Sequence, residues 1–153
     1  MGRSRCGIHF IATSNGNFSV ASPVLKFATT GVFMSSTEQL LDRHLDCFGR
    51  GDLDGIVADY SSAAIMFTPF GPLKGSAAIR SFFEAIFTEF GKPGTTFSLL
   101  LRSVDANYAY ILWRAETAAN TYEAVADTFV MQNGQIILHS SGGKIQPKNA
   151  SVQ

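Results

Sequence analysis

His44 and Asp127 are the two residues of this chain whose types and positions best suit acid–base chemistry. His44 follows Leu40 by four residues and Leu41 by three, and precedes Phe48 by four, so on a helix it shares their apolar face. An imidazole there points into the core or into whatever space the helix lines. Two readings follow: a core histidine satisfied by one hydrogen bond, or a proton carrier, because histidine titrates unperturbed near neutral pH. Asp127 lies in the run Thr121 to Met131. Strand alternation there groups Glu123, Val125, Asp127, Phe129 and Met131 against Tyr122, Ala124, Ala126, Thr128 and Val130. Beyond residue 124 both sides are mostly apolar, so the carboxyl is buried or half-buried on either. Burial disfavours the ionised form, so its pKa is expected to rise. The structural alternative is an aspartate bonded to backbone or to a cation such as Arg114.

Other side chains could wall such a site. Trp113 shares a strand face with Ala109, Ile111 and Ala115, which makes it a candidate for a cavity wall or for plain core packing. Met66, Phe67, Phe83 and Phe129 are further wall candidates. His139 stands in a strand, Gln135 to Ser141, whose two faces are similar in character, so its direction is open. His9, His44 and His139 are far apart, and no pair has the spacing of metal ligands on a helix. The chain lacks G-x-S-x-G, G-x-G-x-x-G, C-x-x-C, H-E-x-x-H and the Walker loop, so neither a metal nor an organic cofactor is expected.

The elements that must position these groups can be read from their punctuation. Ser36 with Gln39 fits a capping box, and Gly49 and Gly51 stop the helix that carries His44. Asp52 caps a short second helix reaching about Tyr60, and residues 63–70 read as a strand broken by Pro69 and Gly71-Pro72. Ser76 is the expected cap of a third helix, whose stripe Ala78, Ile79, Phe82, Phe83, Ile86, Phe87 and Phe90 ends at Gly91. Four strands follow near 95–104, 107–117, 121–132 and 135–142, the last two joined by the hairpin signal Asn133-Gly134. Helices followed by a strand meander imply an α+β fold, with a curved, mostly antiparallel sheet wrapped around three helices to form a cone-shaped cavity.

Composition narrows the function classes. A chain of 153 residues with 46% hydrophobic residues, 13 of them Phe, can bury one sizeable core. Twelve Lys and Arg balance twelve Asp and Glu, which leaves no electrostatic footprint for nucleic acid or an anionic membrane. Only 16% of residues are charged, which favours self-association, so a homodimer is expected. No 18-residue apolar run spans a membrane. Cys6 and Cys47 do not make a disulfide framework, and as free thiols they suggest a cytoplasmic, reducing setting.

Residues 1–35 differ from the rest and read as an N-terminal leader or arm, ahead of a domain over 36–142 and a polar tail over 143–153. Up to Phe33 the segment has no acidic residue. It could be a leader foreign to the domain with Met34 as the start, a basic transit peptide, or an arm that packs through residues such as Phe10, Ile11 and Phe27.

From Glu38 to about Ser141 the chain resembles the nuclear-transport-factor-2-like superfamily, nearest its ketosteroid isomerase and polyketide-cyclase-like branch. The resemblance is carried by Gly51-Asp52-Leu53-Asp54-Gly55-Ile56-Val57, Gly75-Ser76-Ala77-Ala78-Ile79-Arg80, Asp127-Thr128-Phe129 and Gly134-Gln135-Ile136-Ile137. Ketosteroid isomerases use a carboxylate base, a tyrosine donor and a protonated aspartic acid. The resemblance puts the tyrosine position on His44, the base position on Thr68 and the protonated acid on Asp127. Threonine cannot replace a carboxylate base, a contribution of about two to four powers of ten, so steroid isomerisation is not expected. What the resemblance does imply is a small apolar ligand, with His44 and Asp127 moving a proton on it without a cofactor, in an isomerisation, cyclisation or dehydration. Thr68 and His139 would then join the ligand-binding set. The alternative is a non-catalytic dimeric binding or interaction module whose cavity is filled by its own aromatic rings.

Overall fold

The computed structural model describes residues 9–12, 18–20 and 36–148. In chain order the elements are β1 (His9–Ala12), β2 (Phe18–Val20), α1 (Ser36–Arg50), α2 (Leu53–Ala58), β3 (Tyr60–Thr68), β4 (Gly71–Lys74), α3 (Gly75–Phe90), β5 (Thr96–Asp105), β6 (Tyr108–Glu116), β7 (Asn120–Gln132) and β8 (Gln135–Pro147). All eight strands form one sheet in the order β2-β1-β5-β6-β7-β8-β3-β4, and every neighbouring pair is antiparallel except β3 with β8. The α+β architecture of three helices against a curved sheet is as the sequence implies.

The Gly51-Asp52 pair joins two helices by opposite means. Gly51 has φ +65°, its N–H bonds to Phe48 O at 3.1 Å, and Asp52 N–H reaches back to Cys47 O at 2.9 Å. That is a Schellman end for α1. The Asp52 carboxylate then accepts from Gly55 N–H at 2.9 Å and so starts α2. Gly55 must be glycine because a Cβ there would lie 2.4 Å from the Asp52 carboxylate and 2.7 Å from Cys47 Sγ. The motif therefore fixes the angle at which α2 delivers the chain into β3.

The sheet bends along one line. Register shifts fall at Leu99–Leu101 between β5 and β6, and on both sides of β7 near Glu123, against β6 and against β8. The extra residues are Leu100 on β5 and one on β7, and these two bulges kink their strands and curve the sheet around α1 and α3. The concave face carries the core, including Phe97, Ile111, Trp113, Phe129, Met131 and Ile136, against Leu41, Ile79, Phe83 and Phe90 from the helices.

Several boundaries differ from the sequence reading. Strand β3 begins at Tyr60, and residues 71–74 form β4, because Pro69 and Phe70 turn a hairpin rather than end the sheet. Helix α3 starts at Gly75, whose φ of +78° turns the chain out of β4, and Ser76 lies inside the helix rather than capping it. Residues 143–147 are not loose tail: β8 continues to Pro147, paired with Asn120. Asn133 and Gly134 both have positive φ, as the two-residue hairpin turn requires. Most of the 1–35 segment and residues 149–153 lie outside the described residues. Within the former, β1 adds to the edge of β5 and β2 to β1. Among the described residues no helix is long and apolar enough to cross a membrane.

Candidate functional site

Four elements bring polar groups to one buried point. Helix α1 aims His44 inward beside Leu40, Leu41 and Cys47. The parallel β3–β8 pairing sets Met66 against His139, and the antiparallel β7–β8 pairing sets Phe129 against His139 and Asp127 against Ser141. His44, Asp127 and His139 are all buried, and together with Met66, Phe83, Trp113 and Phe129 they line a cavity of about 60 Å³. Phe82, Ile86, Trp113 and Ser141 also face an outer groove of about 470 Å³, so the groove adjoins the cavity across a shared wall.

Two of the expected wall residues lie elsewhere. Phe67 points to the opposite face of β3 and is 45% exposed, because strand alternation gives the inward position to Met66. Thr68 is taken up by the hairpin: its hydroxyl donates to Gly71 O at 2.9 Å and accepts from Phe70 N–H at 3.1 Å, at the rim of the outer groove. It does not reach the inner cavity.

His44 is paired with Asp59 rather than with Asp127. Its Nδ1 lies 3.2 Å from Asp59 Oδ2, and Arg43 Nε holds the other oxygen at 2.5 Å. Asp59 is completely buried. Burial pushes the His44 pKa below the usual histidine value and the neighbouring His139 adds to this, while the bond to Asp59 pulls the other way without prevailing. His44 is therefore a neutral imidazole at pH 7. Its Nδ1–H donates to Asp59, and this leaves Nε2 as a free acceptor.

Asp127 has different neighbours. Trp113 Nε1–H donates to its Oδ2 at 2.7 Å, and Oδ1 faces His139 Nε2 at 3.5 Å. Burial raises its pKa, but His139, Ser141 and Trp113 together outweigh burial and hold it below the usual aspartate value. The rise expected from burial alone is thus reversed, and Asp127 is a carboxylate, not a proton donor. His139 Nδ1 lies 2.7 Å from Tyr60 OH. Burial, with the charges of Asp127 and Asp59, pushes Tyr60 well above the ordinary phenol value, so it keeps its proton. His139 Nε2 faces the Asp127 carboxylate, so it is the nitrogen that presents an N–H there. His139 Nε2 and Asp127 Oδ1 are both sealed from solvent and have no hydrogen-bond partner. Phe129 stacks on the His139 ring at 4.3 Å and fixes its plane.

Sequence periodicity missed Asp59 and Tyr60, the groups bonded to Nδ1 of the two histidines. One signal was available: Asp59 stands at the C-terminal end of α2, where a carboxylate opposes the helix dipole and needs another reason to be there. Among the described residues, no three His, Cys, Asp or Glu side chains converge as a metal site.

The protonation states imply a pH dependence of stability. A histidine with a lowered folded pKa binds its proton more readily when unfolded, so its contribution is fully present above pH 6.5 and is lost as pH falls below it. Asp127 adds a second loss of the same sign, beginning near pH 3.8. Melting temperature is expected to fall between pH 7 and 5, and His44→Gln, which keeps a donor for Asp59, should flatten that slope. An unchanged slope in the variant would place the titrating group elsewhere.

A bent sheet enclosing three helices, with buried polar groups at an apolar cavity, is the nuclear-transport-factor-2-like fold. Within that class the chain belongs to the SnoaL-like domain family, whose model matches residues 41–139. No curated protein matches it. Among solved structures it is similar to an NTF2-like protein of unknown function from Mesorhizobium loti (22% identity, TM-score 0.62, covering 76% of this chain and 97% of that one). It is also similar to a "putative polyketide cyclase" from Sinorhizobium meliloti (14% identity, TM-score 0.57, 71% and 100% covered). A de novo designed protein with a curved β-sheet superposes equally well (13% identity, TM-score 0.61, 72% and 88% covered). At these identities the likeness shows the fold alone.

Proposed function

We propose that this chain binds a small, largely apolar molecule in the inner cavity and moves a proton on it without a cofactor. His44 Nε2 takes the proton. His139 Nε2–H, with Asp127 on one side and Tyr60 on the other, donates to the oxygen on which charge develops. Asp127 orients that donor. The observation that carries this reading is the loose contact of Asp127 Oδ1 and His139 Nε2, buried 3.5 Å apart with no closer partner for either, in a cavity whose walls are mostly apolar. Such atoms are costly to bury unless something bonds them. Isomerisation, aldol-type cyclisation and dehydration all begin with this step.

The test is exchange of the α-protons of 2-butanone in D2O, followed by NMR. The protein should accelerate exchange well beyond free imidazole at equal concentration. No acceleration would favour the second reading, a non-catalytic binding or interaction module, which is supported by the aromatic rings that reduce the cavity to about 60 Å³.

The same proposal includes a homodimer formed through the outer face of the sheet. Ser103, Tyr110, Thr128, Ser140 and Phe67 lie side by side across five strands and carry no charge. Leu101 and Tyr108 on that face are 50% and 58% exposed. Pairing would cover them. Light scattering at tens of micromolar should give a dimer that Phe67→Asp splits; a wild-type monomer would count against it.

A further inference from the structure

We infer that the ligand is elongated, with a small acyclic carbonyl head in the inner cavity and a linear apolar chain in the outer groove; this rests on the proton-transfer reading above. The inner cavity is about 60 Å³, whereas an apolar cavity of about 150 Å³ is what takes up a benzene ring. A ring is too large for it, and an acyclic head of a few atoms is not. The polar groups inside suit an uncharged acceptor: His139 Nε2–H donates, while the Asp127 carboxylate repels an anion.

A head of that size gains little from burial, so affinity must come from elsewhere. The adjoining groove is several times larger, at about 470 Å³, and shares Phe82, Ile86, Trp113 and Ser141 with the cavity. Those four side chains form the junction. Beyond it the groove is mostly apolar, walled by Phe70, Val125 and Ile145, of which Phe70 is 95% exposed and Ile145 39%, with Glu89 and Asn120 among its polar residues. Ile86 and Trp113 line both chambers, so a chain carried by a molecule seated beside His139 has the groove next to it along that wall.

The chain has a single tryptophan, and it stands at the junction, so its fluorescence reports occupancy of both chambers. The experiment titrates the full-length protein with 2-alkanones from 2-butanone to 2-decanone, following Trp113 emission. Each methylene placed in the groove should tighten binding about fourfold, from the transfer free energy of a buried CH₂. Ile86→Phe narrows the junction and should abolish the dependence on length. Ile145→Asp, at an exposed position of β8, should weaken only the longer ketones, by tenfold or more, in a protein whose melting temperature confirms that it is folded. Two results overturn the inference. If wild-type affinity is flat with chain length, the elongated ligand falls while proton transfer in the inner cavity stands. If no ketone perturbs Trp113, the inference falls together with the binding reading beneath it.

Discussion

Asp59→Ala is expected to lower the unfolding free energy by about 3 kcal/mol in urea denaturation. The carboxylate is completely buried and bonded on both oxygens, to Arg43 and to His44. Its two partners fare differently when it goes. The Arg43 side chain is 56% exposed and recovers water at little expense, whereas the His44 side chain is 5% exposed and its Nδ1–H is left without an acceptor. An orphaned buried donor costs about 1–3 kcal/mol, and the small void left by the carboxylate adds to it. Asp59→Asn keeps the volume and an acceptor, so its loss should be smaller, about 1 kcal/mol.

His44 reports the same coupling by NMR. Without Asp59 it loses the contributions that raise its pKa, and the pKa should fall further below the usual value. Arg43→Met leaves the Asp59 charge unneutralised, so there the His44 pKa should rise. If His44 titrates alike in wild type and both variants, Asp59 does not set its state. The proposed base would then have no fixed tautomer.

These partners show where sequence reading reaches its limit. His44 was legible because helical spacing alone places it on the apolar face of α1. Asp127 was legible as buried because both sides of β7 are apolar, but its charge state was not. Its neighbour His139 lies on β8, and the direction of that strand could not be read from two faces of similar character. Burial was then the only effect in view, and it pointed to a raised pKa, whereas His139, Ser141 and Trp113 reverse the sign. Phe67 was misplaced for a related reason: the outer face of the sheet is also apolar, so hydrophobicity does not separate it from Met66. Asp59 lies at a helix–strand junction that follows neither period, and only the α2 geometry fixed by Gly51, Asp52 and Gly55 brings it under His44. The bend of the sheet was implied by the order of elements, but the bulges on β5 and β7 that help make it were not read from the pattern.

His44→Gln is expected to slow ketone α-proton exchange by about two to four powers of ten, the usual worth of a positioned general base. Glutamine can still donate to Asp59 and fills a similar space, so the fold should survive, which Trp113 fluorescence can check. Two groups at the cavity can accept a proton, the His44 imidazole and the Asp127 carboxylate, and their titrations separate them. With His44 as the base, the exchange rate is flat at neutral pH and falls as the ring protonates, at a pH below 6.5. With Asp127 as the base, the rate persists to below pH 3.8. A wild-type profile that breaks below 6.5, and a His44→Gln profile that has lost both the break and the rate, would assign the base to His44. A rate that holds to pH 4 in both proteins would move the base to Asp127 and leave His44 a core histidine anchored on Asp59.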